Sequence, residues 1–295
     1  MGEWLAILGT VWAESLPFLL VKEGDAGRAT LVPVAEFRFG YRARPDLARV
    51  CTGHRLEPGD QVCERRVQEG TRTCRSCAIE AALFASDLHH AHTREPTGGL
   101  TDHLNQPNVL YVAGFGDGSI KVGTSVAHRV ETRLMEQGAR LARIVARATD
   151  GVSIRVMEDL VTDTLAIAQT VSIRRKLRGL TEPRPGAELV EMVAGHATRV
   201  HRLLHEIEGW EQLDETWSNT VFDDVRWDRV FLYPRDLGVG THDLVAGGAC
   251  GRIVRLSRPE AGADQFVADL RQLYGVRLET GVFETPDIAA QHTLF

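Results

Sequence analysis

Four of the five cysteines lie close together in the sequence, at Cys51, Cys63, Cys74 and Cys77. The last two form a Cys-x-x-Cys pair in TCRSC, a spacing that lets two thiolates on one turn bind a single tetrahedral zinc ion. The surrounding segment is rich in Gly, Pro and Arg and has little apolar periodicity, so a bound metal would supply much of its folding free energy. We therefore predict a structural zinc ion held by these four cysteines.

Other interpretations of the cysteines stay open at the level of sequence. A redox-active Cys-x-x-Cys pair usually lies at a strand–helix junction, and no strand pattern precedes Cys74. The four could also be unrelated buried thiols, which is our interpretation of Cys250 in GGACGRIV. Because imidazole also suits zinc, a nearby histidine could replace one cysteine. The candidates are His54, His89, His90 and His92.

Strand and helix patterns alternate around these residues. Residues 3–44 contain three runs rich in β-branched and aromatic residues, separated by the turn-prone EGDAGR, and we expect strands there. Residues 78–90, AIEAALFASDLHH, predict a helix that ends before the loop at 96–99. The run NVLYVAGFGDGSIKVGTS predicts a β-hairpin, because two short β runs flank Asp117-Gly118.

The patterns after the hairpin complete a small unit. VAHRVETRLMEQG has helical spacing and stops at Gly138, a natural C-cap. ARLARIVARA follows as a third strand, and SIRVMEDLVTDTLAIAQ as an amphipathic helix. The order hairpin, helix, strand, helix makes an α/β unit of about 70 residues. A further helix is expected over 187–208, and aromatic-rich loops followed by short strands are expected after Trp210.

The sequence therefore predicts an α+β fold in four segments. These are an N-terminal β region (1–48), a zinc-binding segment with its helix (49–99), the α/β core (105–208) and a C-terminal β-rich region (209–295).

The core segments LYVAGF and IKVGTS, with Arg129 and Glu158, resemble the GIY-YIG nuclease superfamily. More specifically, the chain resembles an uncharacterised bacterial and archaeal family that joins an N-terminal cysteine cluster to a divergent GIY-YIG-like core. The matching pieces are CTG, C, TCRSC, LYVAGFGDGSIKVGTS, R, QGA and the helix glutamate, in that order. They cover the chain from about Cys51 to Gly179.

The resemblance implies a site for phosphodiester chemistry. By position, Tyr111 matches the tyrosine of the first strand, Arg129 the phosphate-binding arginine, and Glu158 the glutamate that holds one divalent cation, Mg²⁺ or Mn²⁺. Lys121 stands where the second tyrosine is expected, as in some branches of the superfamily. On this basis the catalytic candidates are Tyr111, Lys121, Arg129 and Glu158.

Ordinary structural roles are the alternatives for these residues. Tyr111 could pack its ring against the sheet. Arg129 and Arg133 could pair with Glu136 or Glu131 on the helix surface, and Glu158 could be a solvated helix residue. Further basic residues are candidates for nucleic-acid binding: Arg133, Arg174, Arg175 and Lys176.

The implied function is action on nucleic acid, DNA or RNA, by a zinc-containing protein that could be a metal-dependent nuclease. The alternatives are a non-catalytic nucleic-acid-binding module and a metabolic enzyme, for example a tRNA-dependent transferase, that reuses the scaffold. A net charge of −6 argues against a strongly basic nucleic-acid binder. Arginines recur between Arg38 and Lys176, however, so a local basic face is expected beside an acidic C-terminal part.

From the sequence we expect a cytoplasmic protein without membrane contact. The first residues contain Glu3 and Glu14 and no basic leader, unlike a secretory signal. No apolar stretch reaches the ~20 residues that span a bilayer. Clustered cysteines of metal-ligand spacing also favour a reducing compartment.

Overall fold

The computed structural model of the chain describes residues 4–25, 27–54, 56–89, 101, 104–260 and 262–286. The chain divides into two compact units. Met1–Ala82 and Val225–Phe295 form one, the discontinuous unit, and Leu83–Asp224 forms the other, the central unit. The predicted loop at 96–99, the alternative zinc ligands His90 and His92, and the side chain of His89 lie outside the described residues.

Strands and helices are mixed in the part of the chain that is described. The strands are β1 (Trp4–Ala13), β2 (Leu16–Glu23), β3 (Thr30–Pro33), β4 (Arg38–Arg44), β5 (Asn108–Gly114), β6 (Ile120–Val126), β7 (Leu141–Ala148), β8 (Trp210–Ser218), β9 (Val230–Leu232), β10 (Gly240–Cys250), β11 (Ile253–Ser257), β12 (Gln265–Asp269) and β13 (Arg277–Thr280). The α-helices are α1 (Arg75–His89), α2 (Val130–Gln137), α3 (Gly151–Leu165), α4 (Ile173–Thr181) and α5 (Gly186–Leu204). The predicted α+β class is confirmed. None of the described helices has the length and apolar character needed to cross a membrane.

The discontinuous unit is built on one sheet that joins the two ends of the chain. Its described strands follow the order β3-β2-β1-β13-β4-β10-β11-β12-β9, antiparallel except for the β12–β9 pair. Strand β13 lies between β1 and β4, so the predicted N-terminal and C-terminal β regions contribute to the same sheet. The boundaries of the four predicted segments stay predictions.

The segment that carries the cysteines packs against this sheet through a few apolar residues. Val50 and Val62 are buried in a cluster with Ala6, Leu8 and Leu20 of β1 and β2. The backbone also pairs, since the N–H of Val50 donates to the carbonyl of Gly275 at 2.8 Å. An irregular segment is thereby anchored at its edges.

The central unit is a four-stranded antiparallel sheet of order β6-β5-β7-β8 among the described residues. All residues of β5 are buried because helices cover both faces of the sheet. On one face, Leu110, Val112 and Val122 pack against α3 and α5. On the other, Tyr111 and Ala113 pack with Leu134 of α2. The order hairpin, helix, strand, helix is the one predicted, and Gly138 caps α2 with a left-handed φ of 67°.

Three local expectations need correction. The prediction of loops directly after Trp210 is wrong, because Trp210–Ser218 is strand β8. Leu213 and Trp217 pack on the sheet, but the polar residues between them obscure the alternating pattern of a strand. Helix α4 was not predicted, because it is short and strongly charged. Its N-cap residue, Ser172, was the main sequence signal for it. Helix α1 begins at Arg75 rather than 78, because the N–H of Ala78 already donates to the carbonyl of Cys74.

Candidate functional site

The four predicted zinc ligands converge at one point of the discontinuous unit. Cys51 follows β4, Cys63 lies in the irregular segment, Cys74 directly precedes α1, and Cys77 lies in its first turn. All four sulfur atoms lie within 4.8 Å of one another. The Sγ atoms of Cys63 and Cys74 are 3.8 Å apart. A tetrahedron with Zn–S bonds of about 2.3 Å has edges of about 3.8 Å, so this spacing matches a tetrathiolate zinc site.

Backbone donors also prepare the sulfur atoms for a metal. The N–H groups of Cys74 and Gly53 donate to the Sγ of Cys51 at 3.2 and 3.4 Å, and the N–H of Cys77 donates to the Sγ of Cys74 at 3.5 Å. That last bond helps to lower the pKa of Cys74 to about 7. Burial and the neighbouring thiols raise the pKa of Cys77. A cation among the sulfur atoms would reverse that penalty, because metal ligation favours the thiolate form.

The donor set therefore fits a structural zinc ion without help from histidine. All four cysteines are free thiols, which excludes disulfides among them. Among the described residues, these four cysteines form the group of potential metal-binding side chains whose ligand atoms lie close enough together to share one ion. Cys250 lies elsewhere, buried at the end of β10, as expected of an ordinary core thiol.

In the central unit, Tyr111 is buried on the hairpin between sheet and helix. It is 1% exposed and pairs across the hairpin with Gly123. A Cβ at position 123 would lie 2.5 Å from the tyrosine oxygen, so glycine is needed to seat the ring. The Nε2 of Gln137, at the end of α2, donates to the tyrosine Oη at 2.7 Å. Burial raises the pKa of Tyr111, against the opposing effect of the Arg133 charge.

Lys121 lies on the same face of the hairpin as Tyr111. It pairs with Ala113, two residues beyond Tyr111 on β5, and strand residues two apart share a face. Its Nζ is 5.8 Å from the centre of the Tyr111 ring. The residue is 8% exposed. Burial, followed by the charge of Arg133, lowers the pKa of Lys121 to about 8, against the attraction of Glu158.

Glu158 is the buried carboxylate of this region. It lies on α3 and is 3% exposed. Its Oε2 forms an ion pair with Arg155, one turn earlier, and accepts from the Oγ1 of Thr124 on β6 at 3.4 Å. Burial raises the pKa of Glu158, whereas the charges of Arg155 and Lys121 lower it. The carboxylate is therefore an internal counter-charge to nearby cations.

The two candidate arginines on and before α2 share one acidic partner. Arg129 pairs with the Oε1 of Glu136 at 3.2 Å, and Arg133 pairs with its Oε2 at 3.4 Å. The guanidinium that acts on both Tyr111 and Lys121 is that of Arg133. Both arginines therefore share Glu136, and Arg133 is the one whose charge also acts on the tyrosine and the lysine.

Helix α4 brings further basic side chains to the hairpin. The Nζ of Lys176 donates to the carbonyl of Gln137 at 2.7 Å and lies 5.2 Å from the centre of the Phe115 ring. Its charge acts on Lys121. Arg175 donates to the Oγ of Ser119 at 3.4 Å, and Arg174 is exposed on the same helix.

Sequence reasoning did not single out the polar residues that support this site. Arg155 precedes Glu158 by three residues, and residues at that spacing are neighbours on a helix. This spacing was the sequence signal that could have identified Arg155 as the partner of Glu158. Gln137 and Thr124 had no such signal, because their partners are distant in sequence.

The fold and the sites define an α+β protein with a four-cysteine cluster of metal-ligand type and, in the central unit, a group of basic side chains around Lys121. Residues 59–226, over half of the chain, match the model of a family described as "Protein of unknown function (DUF2797)". The chain therefore belongs to the DUF2797 family. No curated protein and no solved structure matches it.

Proposed function

We propose that this protein binds nucleic acid and that its central unit contacts the phosphodiester backbone. The contact residues are Lys121, Arg133 and Lys176, which we call the cationic cluster, with Arg174 and Arg175 of α4 beside it. The observation that carries this proposal is a buried ammonium group held among other cations. The pKa of Lys121 falls to about 8 through burial and the charges of Arg133, Lys176 and Arg155, with Glu158 opposing.

Such an arrangement costs folding free energy unless an anion offsets it. Like charges that gather at one place repel, and a desolvated ammonium lacks the solvation of water. The nearby carboxylates are already engaged, because Glu158 pairs with Arg155, and Glu136 is shared between Arg129 and Arg133. A phosphate group would relieve the repulsion, and Arg and Lys are the side chains that proteins use to bind it.

Metal-dependent cleavage is the second candidate, favoured by the grouping of Tyr111, Lys121 and Glu158. The element order of the central unit and these residue positions agree with the resemblance to GIY-YIG nucleases. The residues do not fit a preformed Mg²⁺ or Mn²⁺ site, however. Among the described residues of the central unit the buried carboxylate is Glu158, and it is already ion-paired with Arg155, which a divalent cation would have to displace. Binding is therefore the function that the site supports best.

Titration of labelled single- and double-stranded DNA and RNA tests binding directly. Three phosphate contacts predict that raising salt from about 50 to about 200 mM weakens binding about 20-fold for single strands and about 40-fold for duplexes. Arg133→Gln and Lys176→Gln should each weaken binding and lower the salt slope by about one. Arg202→Gln is the matched control, because α5 packs on the opposite face of the sheet.

Two outcomes would contradict the proposal. Equal effects of Arg202→Gln and Arg133→Gln would show a general charge effect rather than a site. Absence of binding to every probe at low salt would move the assignment to a metabolic enzyme. Cleavage of a probe by the wild type with Mg²⁺ or Mn²⁺, lost in Glu158→Ala, would establish the second candidate.

A further inference from the structure

A second group of cations lies on the discontinuous unit, around the backbone segment 269–274. The guanidinium of Arg49 donates to the carbonyl of Tyr274 at 2.8 Å, and that of Arg72 donates to the carbonyl of Arg271 at 3.1 Å. Arg252 pairs with Asp269 at 2.9 Å. We call Arg49, Arg72, Arg252 and Arg271 the arginine patch.

Four arginines face one described carboxylate in this patch. The contacts with the Tyr274 carbonyl, the Arg271 carbonyl and Asp269 bring the guanidinium groups of Arg49, Arg72 and Arg252 to one segment, on which Arg271 itself stands. Asp269 is already engaged, since it also accepts from the backbone N–H of Arg271 at 3.0 Å. The patch therefore keeps an excess of positive charge in a chain whose net charge is −6.

The backbone fixes the patch to the cysteine cluster. Arg49 and Arg72 each stand two residues before a cysteine of the cluster, at Cys51 and Cys74. The N–H of Thr52 donates to the carbonyl of Arg72 at 3.0 Å. A structural zinc ion would thus order two of the four arginines, since their backbone is part of the segment that the metal folds.

We propose that the arginine patch is a second binding site for the phosphodiester backbone of nucleic acid. The anchored guanidinium groups of Arg49 and Arg72 each use one donor on a main-chain carbonyl, and a guanidinium has five. The remaining donors suit phosphate oxygens, which arginine binds through two parallel hydrogen bonds. The inference rests on the proposed function, because it assigns the same class of ligand, nucleic acid, to this second site.

Arg271 offers the cleanest test, because it is exposed and anchors the fold through its backbone rather than its guanidinium. Arg271→Gln should weaken binding of labelled DNA or RNA several-fold at low salt and lower the salt slope by about one. Arg271→Glu should weaken it further. Asp269→Asn, which keeps an acceptor for the N–H of residue 271, should strengthen binding. Arg38→Gln is the matched control, because Arg38 is an exposed arginine of the same unit that pairs with Asp243 rather than with the 269–274 segment.

Parallel titration of Arg133→Gln separates this inference from the proposed function. Weakening by Arg133→Gln but not by either Arg271 variant would overturn the second site and leave the first intact. The converse result would support the patch and overturn the role of the cationic cluster. Zinc content and melting temperature of Arg271→Gln complete the test. Loss of zinc with unchanged nucleic-acid affinity would show that the arginines only balance the negative charge of the cysteine thiolates, and would overturn the second site. Absence of binding by the wild type would overturn both sites.

Discussion

Replacement of Lys121 by methionine should make the protein more stable while weakening its binding of nucleic acid. The pKa of Lys121 falls from an ordinary 10.5 to about 8 in the folded chain. Each pKa unit corresponds to about 1.4 kcal/mol, so keeping the ammonium charged at pH 7 costs about 3 kcal/mol of folding free energy. Methionine has a similar shape and no charge, and it adapts to irregular packing. Lys121→Met should therefore gain about 2–3 kcal/mol once the lost contact with the Tyr111 ring is deducted.

The pH dependence gives this prediction its direction. Between about pH 8 and 10.5 the unfolded lysine binds a proton that the folded lysine has lost, so the stability of the wild type rises with pH relative to the variant. The advantage of Lys121→Met should be complete below pH 8, shrink between pH 8 and 10.5, and vanish above. Urea unfolding of both proteins at several pH values measures this difference in the free energy of unfolding. Titration of the tyrosines affects both proteins equally and therefore cancels in the difference. A variant less stable than wild type at pH 7, or a gap that does not change with pH, would refute a buried, desolvated ammonium.

Two further predictions concern the cysteine cluster and the hairpin. Metal analysis should find about one zinc per chain, and Cys74→Ser should lose it and melt at a lower temperature, while Cys250→Ala keeps it; full zinc in Cys74→Ser would contradict the assignment. Gly123→Ala should destabilise the chain by about 1–3 kcal/mol, because the new methyl group would meet the Tyr111 ring. Gly195→Ala, at an exposed helix position with no atom near the new methyl, should be neutral or stabilising, and equal effects of the two would contradict the packing described.

Local patterns in the sequence predicted the central unit well. The turn at Asp117-Gly118 and the C-cap at Gly138 each depend on a few adjacent residues, so the hairpin and helix α2 could be recognised. In the structure the strands of the hairpin are joined by a three-residue loop, 116–118. The strand register that results places Lys121 and Tyr111 on one face of the hairpin. The spacing of the cysteines likewise indicated a metal cluster, because Cys-x-x-Cys forms the first turn of a helix.

Features that depend on distant pairing could not be predicted. Strand β13 inserts between β1 and β4, and no local signal links residues more than two hundred positions apart. The same limit hid the contacts of Gln137 with Tyr111 and the convergence of the arginine patch. The sequence match selected Arg129 as the phosphate-binding arginine, and it gave no signal that the charge of Arg133 acts on Lys121.

Proton uptake on binding tests the central claim most directly. At pH 8 Lys121 is about half protonated in the free protein, and a bound phosphate favours its charged form. Calorimetric titration with nucleic acid at pH 8, in buffers of different ionisation enthalpy, should therefore detect uptake of about half a proton per chain by the wild type. Lys121→Met should bind more weakly and show that uptake abolished. Binding without proton uptake, or with the same uptake in Lys121→Met, would contradict a phosphate at the cationic cluster.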